Sequence, residues 1–356
     1  NLIKIAPLIR AINSQNFFDL RVVYTQQHKS RIMSKVFFEE LGIPLNSKIL
    51  KYKGKTQLQT LSNIMMEFEL DCIQFPPSCV IVVGDVDSTL ACALVAKKLN
   101  IYLAHVEAGL RSNDFKMPEE INRIATDAIS DIFFITEKSA YYNLIKEGHN
   151  KNKIHNVGNV MIDNLYFQKK KLNHFTINKL YTTKLKKKYK NSYAVLTLHR
   201  PSNVDNKKTL NNIIKVLNKI SKKIPIIFPI HPRTKKNIDK FKINFNKNIF
   251  KIKPLSYMEF LNLWRDSSIV ITDSGGLQEE TSALGIKCLT IRENTERPIT
   301  IEKGTNILAG INEVKILKSF RKKMNEVSRY KRIPLWDGKS SERIIKKLYQ
   351  ERKKMV

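Results

Sequence analysis

The sequence predicts an α/β protein built from two similar units, each a parallel sheet covered by helices. Short apolar runs alternate with helical patterns from Val80 to Ile291, the signature of strand–helix–strand repeats. The 356 residues exceed what one ordinary hydrophobic core accommodates, so two domains are expected. The pattern also pauses between Gly148 and Asp163 and then starts afresh.

In the first unit, Val80-Ile-Val-Val-Gly84 reads as a buried strand and Ser88 to Leu99 as the helix after it. Ile101 to Val106 is the next strand, Pro118 to Ser130 the next helix, and Asp131 to Thr136 a further strand. The second unit opens with strand Tyr193 to Leu198 and helix Leu210 to Ser221, followed by strands Ile224 to Ile230 and Ile249 to Ile252. Helix Tyr257 to Asp266, strand Ser268 to Thr272, helix Gly276 to Leu284 and strand Lys287 to Ile291 complete it. An amphipathic helix from about Lys339 ends the chain. Domains are expected over 1–160 and 161–335, with 336–356 as a closing helical segment.

Composition narrows the function. No run approaches the roughly 18 apolar residues of a membrane span, so a soluble protein is expected. Cys72, Cys79, Cys92 and Cys288 form no CxxC pair and lie in or beside apolar segments, which suits reduced core thiols rather than bridges or zinc ligands. With no leader-like charged stretch ahead of an apolar one, a cytoplasmic location is expected. The formal net charge of +31 invites a nucleic-acid reading. The lysines are spread with Asn and Ile through the whole chain, however, as in Lys184-Leu-Lys-Lys-Lys-Tyr-Lys190. The expectation is therefore a solvated basic surface that steers anionic ligands, with no nucleic-acid partner.

Ligands of open α/β sheets bind beyond the carboxyl ends of the strands, so the polar residues there are the candidates. Asp85 follows the first strand, while Asp87 reads better as the cap of the next helix. Glu107 ends the next strand, in His105-Val-Glu-Ala-Gly109. Glu119 and Glu120 open a helix behind Pro118, where negative charge is favoured. Carboxylates crowded at one site drive each other's pKa values apart and supply acid and base together. In the second unit, Thr272-Asp-Ser-Gly-Gly-Leu-Gln-Glu-Glu280 joins a strand end to a helix start. There Ser274 and the amides of Gly275 and Gly276 suit an anion. Glu280 suits a ribose or else an exposed helix charge, and Arg297 is available for phosphate. The segment is neither GxGxxG nor a P-loop. His199-Arg200 and His231-Pro-Arg233 end further strands and suggest an anion pocket. No histidine and carboxylate spacing suggests a metal site.

Together, Gly84-Asp85, His105-Val-Glu-Ala-Gly-Leu-Arg111, Pro118-Glu-Glu-Ile-Asn-Arg123, Leu198-His-Arg200, Pro229-Ile-His231, Thr272 to Glu280, Thr295-Glu-Arg-Pro298 and Pro334-Leu-Trp-Asp-Gly338 resemble the non-hydrolysing UDP-N-acetylglucosamine 2-epimerases. The resemblance runs in unbroken order from Asn1 to beyond Gly338. It implies two Rossmann-like domains facing across a cleft, the GT-B arrangement, with the last helix crossing back to the first domain. It also implies interconversion of UDP-GlcNAc and UDP-ManNAc by elimination and re-addition of UDP through a glycal, with no metal, nicotinamide or flavin, in a homodimer that serves polysaccharide synthesis.

Carried over by motif, Asp85, Glu107 and Glu119 are the acid/base carboxylates and His199 contacts the departing diphosphate. The resemblance further implies that Ser274, Gly275, Gly276 and Arg297 hold the diphosphate, Glu280 the ribose and Phe260 the uracil, with Lys4, Arg200 and His231 also at the substrate. Two departures stand out. In the family a strand and a Gly-Thr-Arg-Pro-Glu loop precede the position of Asn1, so the expected fold lacks that strand. Gln27-His28 matches a segment that contacts an activating second UDP-GlcNAc in some relatives, but Ser30 stands where a glutamine can occur. Rival readings are a 2-epimerase of a diacetamido uronate, a hydrolysing epimerase that frees ManNAc, a GT-B glycosyltransferase and a nucleic-acid-binding protein.

Overall fold

The computed structural model describes residues 1–15, 17–25, 38–44, 47–50, 54, 56–174, 179–189, 192–326 and 332–355. The Gln27-His28 segment and Ser30 lie outside the described residues. The chain divides into two compact units, Asn1–Asn164 with Pro334–Val356, and Leu165–Ile333.

In the first unit, strands β3 (Cys79–Val83), β4 (Tyr102–Val106), β5 (Ile132–Ile135) and β6 (Ile154–Asn156) form a parallel sheet in that order. Strands β1 (Val23–Tyr24) and β2 (Lys48–Ile49) form a separate parallel pair. Successive strand side chains alternate between the two faces. Val80, Val82 and Leu103 pack with Ile64, Phe68, Ala91 and Val95 on one face. Val83, Ala104, Val106, Ile132 and Phe134 pack on the other with Leu8, Ala11 and Ile12. That second cluster also takes Ile344, Ile345 and Leu348 of helix Ser340–Glu351, which packs on helix Leu2–Gln15.

The approach to this last helix is fixed at three points. Trp336, almost wholly buried, donates its indole N–H to the Thr136 carbonyl at 3.3 Å. Asp163 accepts the amides of Ser340 at 3.0 Å and Ser341 at 2.6 Å, which caps a helix start whose own cap residue, Lys339, makes no side-chain bond. Gly158 sits at φ +86°, and a Cβ there would lie 2.1 Å from the Leu335 carbonyl oxygen, so only glycine fits.

In the second unit, six parallel strands run in the order β12-β11-β10-β7-β8-β9. They are β7 (Ala194–Thr197), β8 (Ile226–Pro229), β9 (Ile249–Ile252), β10 (Ile269–Thr272), β11 (Cys288–Thr290) and β12 (Asn306–Leu308). The chain builds outward from β7 to β9, then returns to the other side of β7 with β10. The β7/β10 pair is therefore the switch point, where doubly wound sheets open a ligand site. Ala194, Leu196, Ile226, Phe228, Ile269 and Ile271 bury one face against Leu210, Ile213, Ile214 and Leu217 of helix Lys207–Ile220. That helix is capped by Asn206, which accepts the Thr209 amide at 3.0 Å.

Several helices lay outside the sequence reading, for physical reasons. Leu2–Gln15 carries Pro7 inside it, which masks the helical signal. Gln57–Gln74 has apolar residues on its buried side and also on its exposed side, at Leu58, Met66, Leu70 and Ile73, so no single stripe emerges. One local expectation is corrected. Asp87 is the first helical residue, Val86 holds the cap position without a side-chain bond, and the Asp87 carboxylate instead accepts Asn122 Nδ2 at 3.0 Å.

All four cysteines are free, and burial pushes the thiols up to about 11 or 12, which makes them inert. Among the described residues no helix is long and apolar enough to cross a membrane.

Candidate active site

Registry between β3 and β4 places Val83 opposite Val106, so the two strands release their chains side by side. The Gly84 amide bonds the Val106 carbonyl at 3.0 Å. Gly84 then takes φ +74° and Glu107 φ +72°. A left-handed glutamate is strained, by about 1–3 kcal/mol, and such strain collects at functional sites. Here Glu107 and Ala108 donate their amides to the Phe134 carbonyl at 2.9 and 3.2 Å, which holds the turn. Glu107 is buried, and its carboxylate lies 2.5 Å from the ammonium of buried Lys4. A cation so close offsets part of the cost of burying a carboxylate.

Asp85 occupies the neighbouring turn. The buried Arg123 guanidinium donates to Asp85 Oδ2 from Nε at 3.1 Å and Nη2 at 2.7 Å. Asn122 Nδ2 grips the Asp85 carbonyl at 3.0 Å. Beneath both turns, His105 is fully buried, with Nδ1 2.7 Å from Asp127 Oδ1 and Nε2 2.9 Å from the Gly84 carbonyl. Asp127 also accepts the Gly109 amide at 3.0 Å and pairs with Arg111 at 2.7 Å. Burial pushes the Asp127 carboxyl upward, but His105 and Arg111 outweigh it and hold it below its usual value.

The structure separates the two helix-start glutamates. Glu120 is buried and accepts the amides of Ser112 and Asn113, the Ser112 hydroxyl and Arg123 Nη1. Glu119 is exposed on the first turn of helix Pro118–Ile129. Its carboxylate remains accessible to a ligand while its neighbour is committed to the protein.

In the second unit the loops after β7 and β10 meet at the switch point. Buried Asp273 accepts the amides of His199 and Arg200 at 3.0 and 2.9 Å and lies 3.0 Å from His199 Nδ1. Burial raises the Asp273 carboxyl, but the His199 and backbone bonds prevail and lower it. With Nδ1 held, the half-exposed His199 ring has its Nε2 edge for a ligand. His231 is exposed, with its ring centroid 5.8 Å from that of His199.

Ser274 caps helix Gly275–Leu284, so the free amides of the first turn and the helix dipole favour an anion there. A Cβ on Gly275 would lie 2.9 Å from Glu296 Oε1 and 3.0 Å from Arg297 Nη1. These belong to a buried cluster in which Glu296 pairs with Arg292 at 2.8 Å, with Arg200 at 3.5 Å and with Arg297. Arg297 also pairs with Glu279 at 2.9 Å. Burial pushes Glu296 up, yet the three arginines drive it far below the carboxylate range. Three arginines thus gather beside the helix start, an arrangement that suits a diphosphate.

The exposed reading of Glu280 is corrected. The side chain is buried and accepts the Tyr257 hydroxyl at 2.6 Å. Burial raises its carboxyl to about 7, opposed by Tyr257 and assisted by neighbouring Glu279. Phe260 is half-buried on the same helix as Tyr257.

Sequence reasoning weighed Glu120 beside Glu119 without giving it a role, and missed Arg123, Asp127, Asp273 and Glu296 as members of the two sites. Each stands inside or one helix turn from a segment already singled out, which is the signal that could have found them. Among the described residues no cluster of three or more His, Cys, Asp or Glu side chains is placed to hold a metal.

Known proteins match this arrangement over nearly the whole chain. The family model for UDP-N-acetylglucosamine 2-epimerase matches residues 10–349. The UDP-N-acetylglucosamine 2-epimerase of Methanocaldococcus jannaschii is 42% identical over 355 residues, covering 97% of this chain and 95% of that protein. The UDP-2,3-diacetamido-2,3-dideoxy-D-glucuronate 2-epimerase of Pseudomonas aeruginosa is 38% identical over 322 residues, 90% of this chain and 88% of that protein. The crystal structure of the Methanocaldococcus jannaschii UDP-GlcNAc 2-epimerase with UDP-GlcNAc and UDP superposes with a TM-score of 0.90 at 41% identity, covering 98% and 96% of the two chains. The carboxylate turns of the first unit and the anion loop of the second are thus those of a chain that belongs to the UDP-N-acetylglucosamine 2-epimerase family.

Proposed function

We propose that this protein interconverts UDP-GlcNAc and UDP-ManNAc. The observation that carries the reading is Glu107, a buried carboxylate in a left-handed turn beside that of Asp85, in a chain matched over nearly its whole length by epimerases. A carboxylate removes the C2 proton, the C1–O bond breaks, and UDP leaves with the bonding pair to give the glycal. Returning a proton to the opposite face of C2 and UDP to C1 gives the epimer. Nothing is oxidised or reduced, so the chemistry calls for no nicotinamide or flavin.

Asp85, Glu107 and Glu119 serve as the acid and base groups, with Lys4 at the sugar end. His199, Arg200, His231, Ser274, Gly275, Gly276 and Arg297 serve the diphosphate, Glu280 the ribose and Phe260 the uracil ring. The test is to incubate purified protein with UDP-GlcNAc and separate the nucleotide sugars. UDP-ManNAc is the expected product, whereas UDP with free ManNAc in its place contradicts the reading. The Pseudomonas aeruginosa relative favours one alternative, a diacetamido uronate as substrate. Turnover of that compound but not of UDP-GlcNAc would establish it.

The working form proposed is a cytoplasmic homodimer. Helix Gln57–Gln74 exposes Leu58, Met66, Leu70 and Ile73, and residues 56–96 contain no Lys or Arg in a chain with 63. An apolar helix face with no Lys or Arg of its own, and with the neighbouring Arg21 ion-paired to Asp71, is where two strongly basic copies can meet with little repulsion. Sedimentation should show a dimer, and Leu70→Lys with Ile73→Lys should yield monomers.

A further inference from the structure

Arg123 forks between two carboxylates. Its Nε and Nη2 donate to Asp85 Oδ2 at 3.1 and 2.7 Å, and its Nη1 donates to Glu120. Glu120 is itself tied down by the Ser112 amide at 2.9 Å, the Asn113 amide at 2.8 Å and the Ser112 hydroxyl at 3.0 Å. The Arg123 and Glu120 side chains are 3% and 1% exposed, against 16% for Asp85, so the first two are walled in and Asp85 is the member that reaches solvent. A fork geometry fixes direction as well as distance.

We infer that Arg123, oriented by Glu120, is the positioning residue for Asp85, fixing the direction in which that carboxylate meets the sugar. The inference rests on the proposed epimerisation. Glu120 thereby links the segment at Ser112 and Asn113, through Arg123, to the Asp85 turn. Neither residue touches the substrate in this account; both act through Asp85.

The test compares steady-state epimerisation of UDP-GlcNAc by wild type, Arg123→Gln, Arg123→Lys and Glu120→Gln, with each checked for folding by circular dichroism. Arg123→Gln should lower kcat by roughly a hundredfold, the cost of about 1 Å of misplacement, and leave KM within about twofold. Arg123→Lys keeps a cation and should recover roughly tenfold of that loss. Adding Arg123→Gln to Asp85→Asn should cost less than about twofold more, because the group it positions has already gone. A folded Arg123→Gln with wild-type kcat, a raised KM at unchanged kcat, or full additivity with Asp85→Asn would each overturn the inference. If Arg123→Gln does not fold, the lysine variant and its double mutant decide by the same criteria. Wild-type protein that fails to epimerise contradicts the functional reading itself, a result distinct from all of these.

Discussion

The two units solve opposite electrostatic problems with buried charge. In the first, acidic groups lie against basic ones, as Glu107 against Lys4 and Asp85 against Arg123. In the second, one acidic group is enclosed by arginines, with Arg200, Arg292 and Arg297 around Glu296. In the proposed reaction the first arrangement serves proton transfer and the second, with arginines gathered beside a helix start, serves a phosphate. The contrast teaches that these glutamates differ in duty according to what surrounds them and not by residue type. Glu280, buried without a cation, is raised to about 7, and Glu296, buried among three, is driven the other way.

The largest effect should come from the first unit. Glu107→Gln keeps size and backbone conformation but cannot take a proton, so kcat should fall by about a thousandfold while the fold persists. Steady-state kinetics alongside thermal unfolding checks both halves. In the second unit the same substitution, Glu296→Gln, should act on the fold. It leaves buried arginines without their shared anion, a loss of about 3 kcal/mol that is measurable by denaturant unfolding. If Glu107→Gln instead unfolds the chain and Glu296→Gln only slows it, the division of duties is wrong.

Smaller effects sharpen the contrast. Gly275→Ala places a methyl against Glu296 and Arg297 and should weaken UDP binding by about tenfold, or about 1.4 kcal/mol by calorimetry, with little change in the fold. Glu280 gives a pH signature. Its carboxyl is raised from 4.5 to about 7, so between those values the folded chain holds a proton that the unfolded chain has lost. Stability from this group is therefore greatest below pH 4.5, falls as pH rises through the window, and levels off above about 7. Ribose hydroxyls donating to the carboxylate favour its charged form, so UDP binding near pH 7 should release a proton. Calorimetry in buffers of different ionisation enthalpy would show the release, and Glu280→Gln should abolish it.

Much of this was legible in the sequence because sheet topology puts strand-end loops at the ligand. Gly84-Asp85, Glu107 and Ser274-Gly275 were found from apolar runs that end at glycine or acid, and the family motifs supplied their roles. The supporting partners were hidden by separation along the chain. Arg123 lies 38 residues from Asp85, Asp273 74 from His199, and Glu296 96 from Arg200. Periodicity carries no information at that range, and the parallel registers of β3 with β4, of β7 with β10 and of β10 with β11 bring the elements that carry these groups together. Glu119 and Glu120 were alike in sequence, and burial alone separates them. The opening 78 residues resisted reading because Pro7 masks the signal of one helix and the outer apolar face of Gln57–Gln74 blurs another.

The central claim is that carboxylates of the first unit move a proton at C2 of the sugar. Proton NMR of UDP-GlcNAc with the purified protein in D₂O tests it directly. The account predicts that the C2 proton signal is lost to deuterium as UDP-ManNAc appears, with both changes abolished by Glu107→Gln. Epimer formation with the original C2 proton retained would contradict it.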